Sequence, residues 1–523
     1  MNTSEFLTIA SSICPDRTAT VFEGRRRTYE QMNEHVNRIA NFLAGMGVEK
    51  GTKVAILNTN SDDYVDIYYA TARLGAIFVP VNYRAKSEEL TYMLNNCEAS
   101  VMLVGDRYVP LVQSITGDLP LIKHYIALES RIDGWPHMDD LVANASADEI
   151  NTDCEEDDIT ILMYTSGTTA FPKGVILTHG TFVVHILATA MAADPENHEV
   201  TILSVPIFHV AGVGAIMSSI FSGRTLVVLR QFEPRPWLEA VHNEGASHCF
   251  LVPTMLKRTM EEPDFDKFNL DSLQIITYGA ATMPLEVIKK ALTLFKCGFI
   301  NAFGQTESTS TITFLGPDDH IIEGSEEEKA RKLVRLASIG RAMDDVEIVI
   351  MDEQGNMLPD GEIGEIVARG PQVMKGYWKQ EDATKSTIID GWLHTGDMGW
   401  RDDDGYFYLA GRKRDMIIRA GENISPEQVE HVLNSNPKIE EAAVIGIPDA
   451  DWGEVVKAVV AVKRGETLTE DEVIKYCKAR LASYKAPEAV EFVDALPRNH
   501  LGKVLKKDLR EAHVASMQAQ APA

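Results

Sequence analysis

The segment Tyr164-Thr-Ser-Gly-Thr-Thr-Ala-Phe-Pro-Lys-Gly174 combines hydroxyl side chains, glycines and one lysine, directly after a predicted strand over Ile159–Tyr164. Hydroxyl and backbone N–H groups donate hydrogen bonds, and glycine lets the backbone approach a ligand closely. Lys173 adds a fixed positive charge. The loop is therefore predicted to bind a polyphosphate, although it lacks the G-x-x-x-x-G-K-[ST] pattern of kinases and GTPases.

The elements around this loop indicate an α/β fold. Short apolar runs rich in branched residues, such as Lys53–Leu57 and Thr225–Leu229, alternate with amphipathic stretches such as Thr28–Met46. This alternation predicts largely parallel sheets with covering helices. Closer-spaced runs between Val346 and Ala410 predict a small, mostly antiparallel β unit late in a large N-terminal domain of stacked α/β subdomains, residues 1–411.

A second domain of residues 412–523 is predicted to be small, mobile and α+β. Ser425 with Gln428, and Thr469 with Glu472, have the spacing of helix N-terminal capping boxes. Strand-like runs lie between them, and the Gly411–Asp415 segment is the expected hinge. The tail from Ala515 onward is expected to be disordered.

Composition and charge exclude several classes of protein. The chain has 523 residues and a formal charge of −27, which argues against nucleic acid or an anionic membrane as the main partner. From Arg412 onward there are 17 Lys/Arg against 18 Asp/Glu, whereas the preceding residues have 33 against 59. The six cysteines have no metal or redox spacing and are interpreted as buried thiols of a cytoplasmic protein. No signal peptide or membrane span is predicted.

The phosphate-type loop resembles that of the adenylate-forming superfamily, which comprises acyl-CoA synthetases, peptide-synthetase adenylation domains and luciferases. The resemblance continues in order from about Thr28 to Lys503. Seven further segments match: Pro206-Ile-Phe-His-Val-Ala-Gly212, Tyr278-Gly-Ala-Ala281, Asn301-Ala-Phe-Gly-Gln-Thr-Glu307, His394-Thr-Gly-Asp397, Gly411-Arg412, Gly421-Glu-Asn423 and Pro497-Arg-Asn-His-Leu-Gly-Lys503.

The resemblance implies a nucleotide site for ATP and Mg²⁺. Glu307 is the implied metal ligand, because Mg²⁺ prefers oxygen, and Thr306 has a hydroxyl for the α-phosphate. Asp397 and Arg412 are expected to grip the ribose from opposite sides. The remaining implied nucleotide-site residues are Thr165, Ser166, Gly167, Thr168, Thr169, Lys173, Gly279, Ala280, Ala281, Asn301, Ala302, Phe303, Gly304 and Gln305.

The resemblance also implies residues for the acid and for the thiol. Lys503 is the implied catalytic lysine and His209 a gate at the carboxylate pocket. Gly421 and Glu422 are assigned to the coenzyme A side, with Arg414 as the hinge. Without the resemblance, Lys503 would be a solvated lysine and His209 a core histidine.

Three residues depart from the family pattern. Ala170 stands where a glycine is usual in the phosphate loop, and should stiffen that turn. Phe303 replaces the commoner tyrosine, which retains the ring but loses a hydroxyl. Arg414 stands where Asp or Lys is usual at the hinge.

These residues predict an ATP-dependent carboxylic acid–CoA ligase that acts through an acyl-adenylate. An adenylation enzyme that loads a carrier protein would share every ATP residue, and a luciferase-like oxygenase or a catalytically inactive nucleotide-binding homologue also stays open. Small residues near His209, namely Ala211, Gly212, Gly279 and Ala280, favour a medium-chain, alicyclic or aromatic acid over acetate. A homodimer is left open.

Overall fold

The computed structural model describes residues 1–150, 152–165, 172–419, 422–449, 452–481, 483–498 and 504–520. Its helices are α1 Glu5–Ile13, α2 Tyr29–Gly45, α3 Asp62–Arg73, α4 Ser87–Cys97, α5 Val109–Ile115, α6 Met138–Asn144, α7 His179–Thr189, α8 Val210–Phe221, α9 Pro234–Glu244, α10 Pro253–Met260, α11 Leu285–Leu294, α12 Glu326–Arg335, α13 Glu381–Thr387, α14 Pro426–Asn434, α15 Glu470–Lys478 and α16 Lys506–Gln520.

The strands are β1 Thr18–Phe22, β2 Arg25–Thr28, β3 Lys53–Leu57, β4 Ile77–Pro80, β5 Val101–Val104, β6 His124–Ala127, β7 Ile159–Thr165, β8 Lys173–Thr178, β9 Val200–Leu203, β10 Thr225–Val228, β11 His248–Leu251, β12 Ile275–Gly279, β13 Gly298–Gln305, β14 Ser310–Leu315, β15 Arg341–Ala342, β16 Glu347–Met351, β17 Gly364–Arg369, β18 Gly376–Tyr377, β19 Ile388–Ile389, β20 Trp392–Arg401, β21 Phe407–Arg412, β22 Ile417–Arg419, β23 Glu422–Ile424, β24 Ile439–Asp449, β25 Gly453–Val462 and β26 Ala489–Val493.

Two largely parallel sheets form the large domain. A seven-stranded sheet has the order β18-β8-β7-β4-β3-β5-β6, and β8 and β18 are its antiparallel edge. A nine-stranded sheet has the order β15-β14-β13-β12-β11-β9-β10-β1-β2, with antiparallel strands at both ends. One core cluster joins Phe78 and Ile161 of the first sheet to Leu203 and Leu226 of the second through Met217 of α8. The predicted α/β class is therefore confirmed.

The late β unit is also present. Its order is β16-β17-β20-β19, β21 pairs with β20, and every pair is antiparallel. This unit packs on the nine-stranded sheet through Ile312 and Phe407. It therefore holds β21 against β14, the strand that pairs with β13.

The C-terminal residues form a small α+β unit. The sheet order is β23-β22-β25-β24, with β26 paired to β25, and α14 and α15 pack on it. Ser425 accepts a hydrogen bond from the Gln428 amide, and Thr469 forms the full capping box with Glu472. The expectation of a disordered tail is wrong for residues 515–520, because α16 continues to Gln520. Ala, Met and Gln in this stretch are strong helix formers.

All six cysteines are free, and four of them are buried as expected. The expectation of buried thiols is wrong for Cys154 and Cys297, which are only half-buried. Among the residues that the structure describes, no helix has both the length and the apolar character needed to cross a bilayer.

Candidate active site

The phosphate-type loop is the connection of an edge hairpin. β7 and β8 pair antiparallel, and their register sets Thr165 opposite Lys173. The Lys173 Nζ lies 4.7 Å from the ring centroid of Tyr377. Ser166, Gly167, Thr168, Thr169 and Ala170 lie outside the described residues.

Glu307 belongs to a 3-10 turn, Thr306–Ser308, at the end of β13. The turn is held by the Ser308 hydroxyl, which donates to the Gln305 carbonyl at 3.0 Å and accepts from the Gln305 amide at 3.0 Å. The Glu307 carbonyl accepts the Met374 amide at 2.9 Å. The half-buried turn therefore presents a hydroxyl and a carboxylate at the carboxyl end of β13.

Tyr377 connects these two parts of the site, and the sequence reasoning missed it. Its hydroxyl donates to Glu307 Oε1 at 2.9 Å, while Lys173 lies over its ring. Burial, reinforced by the Glu307 charge, raises the pKa of Tyr377, so the phenol remains a donor at neutral pH. Tyr377 lies in β18, a strand of two residues, which is too short to show any periodicity.

The ends of β12 and β13 approach each other closely. Gly279 pairs with Ala302, and a Cβ at Gly279 would collide with the Ala302 carbonyl. Ala280 has φ +64° and, like Ala281, is exposed. The small side chains thus leave space above the strand ends.

The rest of the β13 segment is constrained by contacts with neighbouring strands and loops. Phe303 is half-buried against the cluster that includes Ile312. Asn301 is 9% exposed and its amide donates to the Ser338 carbonyl at 3.1 Å, which is a structural contact. A Cβ at Gly304 would overlap the backbone carbonyl of the next strand, so this position requires glycine.

Asp397 and Arg412 are cross-strand partners on β20 and β21. The Arg412 Nε lies 2.7 Å from Asp397 Oδ1, and Arg412 Nη1 donates to the Thr395 carbonyl at 3.0 Å. The antiparallel pairing sets the two side chains next to each other. Their contact with a ribose, expected from opposite sides, stays a prediction.

Glu365 supports this hairpin and was also missed. Its carboxylate lies 3.1 Å from His394 Nδ1, accepts the Gly396 amide at 3.0 Å and lies 3.2 Å from Lys413 Nζ. Burial alone would raise the pKa of Glu365, but these contacts hold it below its usual value. The available signal was a single acidic residue directly before the apolar residues 366–368 of β17.

The remaining implied residues are those assigned to the acid, the thiol and the hinge. His209 precedes α8 and its ring centroid lies 4.2 Å from that of Phe208. Gly421 and Lys503 lie outside the described residues. Glu422 lies in β23 and Arg414 in a 3-10 turn, and the description does not extend to their side chains.

Taken together, an acidic turn at the carboxyl end of β13, a lysine linked to it through Tyr377 and an ion pair on the β20–β21 hairpin are typical of a nucleotide-binding α/β enzyme. The AMP-binding enzyme family matches residues 10–378, and the C-terminal domain of the same family matches residues 428–503. The chain therefore belongs to the AMP-binding enzyme family, that of the AMP-forming acyl-CoA ligases, and it uses ATP.

Similar proteins extend over nearly the whole chain. A fatty acid–[acyl-carrier-protein] ligase, ScoC, from Streptomyces coeruleorubidus is 32% identical over 508 residues, covering 95% of this chain and 93% of ScoC. A feruloyl-CoA synthase from an Amycolatopsis species is 34% identical over 497 residues, covering 95% and 96%. The structure of the anthranilate CoA ligase AuaEII with anthranoyl-AMP matches with a TM-score of 0.88 at 26% identity, covering 99% and 98%.

Proposed function

We propose that this protein joins a carboxylic acid to coenzyme A in two half-reactions. The acid carboxylate attacks the α-phosphate of ATP and releases pyrophosphate; the CoA thiol then displaces AMP from the acyl-adenylate. The observation that carries this proposal is the Lys173–Tyr377–Glu307 contact, which joins the phosphate-type loop to the acidic turn. Catalysis in the first step would be positioning and charge neutralisation, without a protein nucleophile.

Glu307 would hold Mg²⁺, which supplies positive charge to the ATP phosphates. Its oxygen donors fit that ion, and the Tyr377 hydroxyl on Oε1 would orient the carboxylate. Lys173 would neutralise charge on the departing pyrophosphate, and Lys503 would bridge the acid and the α-phosphate. Asp397 and Arg412 would hold the ribose, while the adenine would lie between Phe303 and the Gly279–Ala281 segment.

The second half-reaction would use the C-terminal domain, which we propose to rotate about Arg414 and bring Gly421 beside the thiol. Two exposed aromatic side chains beside Arg419 support CoA over a carrier protein. Trp452 is 48% and Tyr484 37% exposed. Arg419 connects them: its guanidinium lies 5.2 Å from the Trp452 ring centroid and donates to the Tyr484 carbonyl at 2.9 Å. Because the Arg419 guanidinium is also paired with Glu488, the aromatic faces are the groups that would contact the CoA adenine.

A partly open sheet face supports an acid larger than acetate. Phe250, Thr277 and Ile300 are cross-strand neighbours on β11, β12 and β13, in the interior of the nine-stranded sheet. All three are only half-buried, whereas Leu251 and Ile276 on the other face are fully buried. Central strands are normally covered on both faces, so the half-buried face borders open space.

Helix α8 forms the other wall of this space. It packs on β9 and β10 and on β14, the strands on either side of β11–β13, and therefore crosses above them. Its half-buried residues Ala211, Ala215 and Ser218 recur at helical spacing. We call this space, between α8 and Phe250, Thr277 and Ile300, the β11–β13 slot.

The slot begins beside Ala302, at the proposed site of adenylation, and runs back along the strand toward Gly298. Four residues of strand span about 13 Å. With C–C bonds of about 1.5 Å, this length suits an extended chain of roughly ten carbons. Because the space runs along the strands and is lined mostly by apolar residues, we infer a medium-chain aliphatic acid in preference to a single aromatic ring.

An ATP–pyrophosphate exchange assay with a panel of acids tests these inferences. Straight-chain acids near ten carbons should exceed acetate and benzoates, and Ile300→Trp should shift the optimum to shorter chains. If acids that contain a ring were the best substrates, the inference of a medium-chain acid from the β11–β13 slot would be wrong, but the ligase proposal would stand. Stoichiometric ADP and phosphate as products, instead of AMP and pyrophosphate, would contradict the ligase mechanism itself.

The six free cysteines support a reducing compartment such as the cytoplasm.

A further inference from the structure

The start of the C-terminal helix α16 forms largely buried ion pairs with α14. Lys506 Nζ lies 2.9 Å from Glu430 Oε1 and 3.5 Å from Glu427 Oε1. The three side chains are 13%, 16% and 23% exposed, in that order. Burial alone would lower the pKa of Lys506, but the two carboxylates raise it above its usual value. The ammonium group therefore persists at neutral pH.

Glu427 in turn lies against the strand that carries Arg412. A Cβ at Gly411 would collide with the Glu427 carboxylate, so the carboxylate is in close contact with the Gly411 backbone. Gly411 has φ +123°, a conformation that requires glycine. Arg412, the next residue, forms the ion pair with Asp397. A chain of contacts therefore leads from α16 through Glu427 to the proposed ribose site.

A second charged contact holds the other side of the connector. Arg510 Nη2 of α16 lies 2.7 Å from Asp415 Oδ1, and the Asp415 side chain is 12% exposed. Asp415 follows Arg414, and the Met416 amide donates to the Arg412 carbonyl at 3.0 Å. Helix α16 thus contacts the connector directly after Arg414, at Asp415, and before Arg414 only through Glu427 of α14.

We propose that Lys506 and Glu427 are positioning residues for adenylate formation, which fix α16 and the Arg412 strand relative to each other. The proposal rests on the two-step reaction above. Glu427 follows the proposed hinge and Gly411 precedes it, so their contact exists in one domain orientation and is lost on rotation. Lys503 precedes Lys506 by three residues, at most about 11 Å of chain. The contact therefore fixes the start of α16, the helix that follows Lys503 in the chain, against the strand that carries Arg412.

The matched variants are Lys506→Met, Lys506→Arg and Lys507→Met. Lys507 is the neighbouring lysine; it is 75% exposed and pairs with Glu511 on its own helix at 3.7 Å. We expect Lys506→Met to lower ATP–pyrophosphate exchange at least tenfold, while thioester formation from supplied acyl-adenylate and CoA stays within about twofold. Lys506→Arg should recover most of the exchange, and Lys507→Met should match wild type.

Glu427→Gln tests the other partner. The double variant Glu427→Gln/Lys506→Met should lose little more ATP–pyrophosphate exchange activity than Lys506→Met alone, because both substitutions break the same Lys506–Glu427 contact. An equal fall of both half-reactions in Lys506→Met would indicate a merely structural role and overturn the proposal.

Hydrogen–deuterium exchange of the full chain provides a readout that needs no activity. In Lys506→Met, but not in Lys507→Met, the amides of residues 407–416 should exchange at least tenfold faster, because the Gly411 contact is lost. Unchanged exchange there would overturn the positioning role. If wild type activates no acid while these amides still respond to Lys506→Met, the contact stands and the proposed ligase function is wrong.

Discussion

Replacing Tyr377 with phenylalanine isolates the contact that joins the two halves of the phosphate site. Tyr377 is 8% exposed and its hydroxyl lies 2.9 Å from Glu307 Oε1. A hydrogen bond to a charged group contributes about 1.5–3 kcal/mol. Because about 1.4 kcal/mol is one factor of ten in rate, Tyr377→Phe should lower kcat/KM for ATP–pyrophosphate exchange by about ten- to a hundredfold.

The phenylalanine ring still underlies Lys173, so a second variant separates the two contacts. Tyr377→Leu removes the ring as well, and a cation–π contact of about 0.5–1 kcal/mol predicts a further loss of roughly two- to fivefold. Exchange should be measured over a range of Mg²⁺ concentrations, since a less well oriented Glu307 should raise the concentration required. Thioester formation from supplied acyl-adenylate should stay near wild type, because the pyrophosphate has already departed.

Tyr406→Phe is the matched control. The Tyr406 hydroxyl donates to Asp319 Oδ1 at 2.6 Å, and Tyr406 is 3% exposed. It should leave exchange unchanged. The reasoning would be refuted if Tyr377→Phe exchanged at the Tyr406→Phe rate, or if both half-reactions slowed equally in Tyr377→Phe.

Lys503→Ala should lower ATP–pyrophosphate exchange by a hundredfold or more while leaving thioester formation from supplied acyl-adenylate near wild type, and Gly421→Trp should give the reverse; equal effects of both variants on both steps would contradict domain rotation. Trp452→Ala should raise KM for CoA about tenfold without changing KM for pantetheine, and an equal rise for both thiols would exclude an adenine contact. Burial lowers the pKa of His179 to about 4 from 6.5. The contribution of neutral His179 to the free energy of unfolding is therefore complete above pH 6.5. It is lost as the pH falls toward 4, by about 2 kcal/mol between pH 7 and 5. His179→Gln should show a smaller loss in urea unfolding over that interval.

Local signals in the sequence were sufficient for the elements that carry the site. Thr28 caps α2 and forms its box with Gln31, so the helix begins where the predicted amphipathic stretch begins. The strand over Ile159–Tyr164 is confirmed as β7, directly before the loop. These features depend on neighbours within about four residues, and such contacts can be inferred from spacing alone. The ordered motifs likewise sufficed to identify the family.

The tertiary structure decided which of these residues meet. Tyr377 reaches Glu307 across 70 residues because β18 adds to the edge of the seven-stranded sheet. Asp397 and Arg412 stand side by side because β20 and β21 form a hairpin, which their separate motifs could not indicate. Sequence periodicity reports which face of an element is buried, but not which strand lies beside it. Strand order depends on the free energy of packing the whole sheet, so contacts between distant strands are set only when the chain folds.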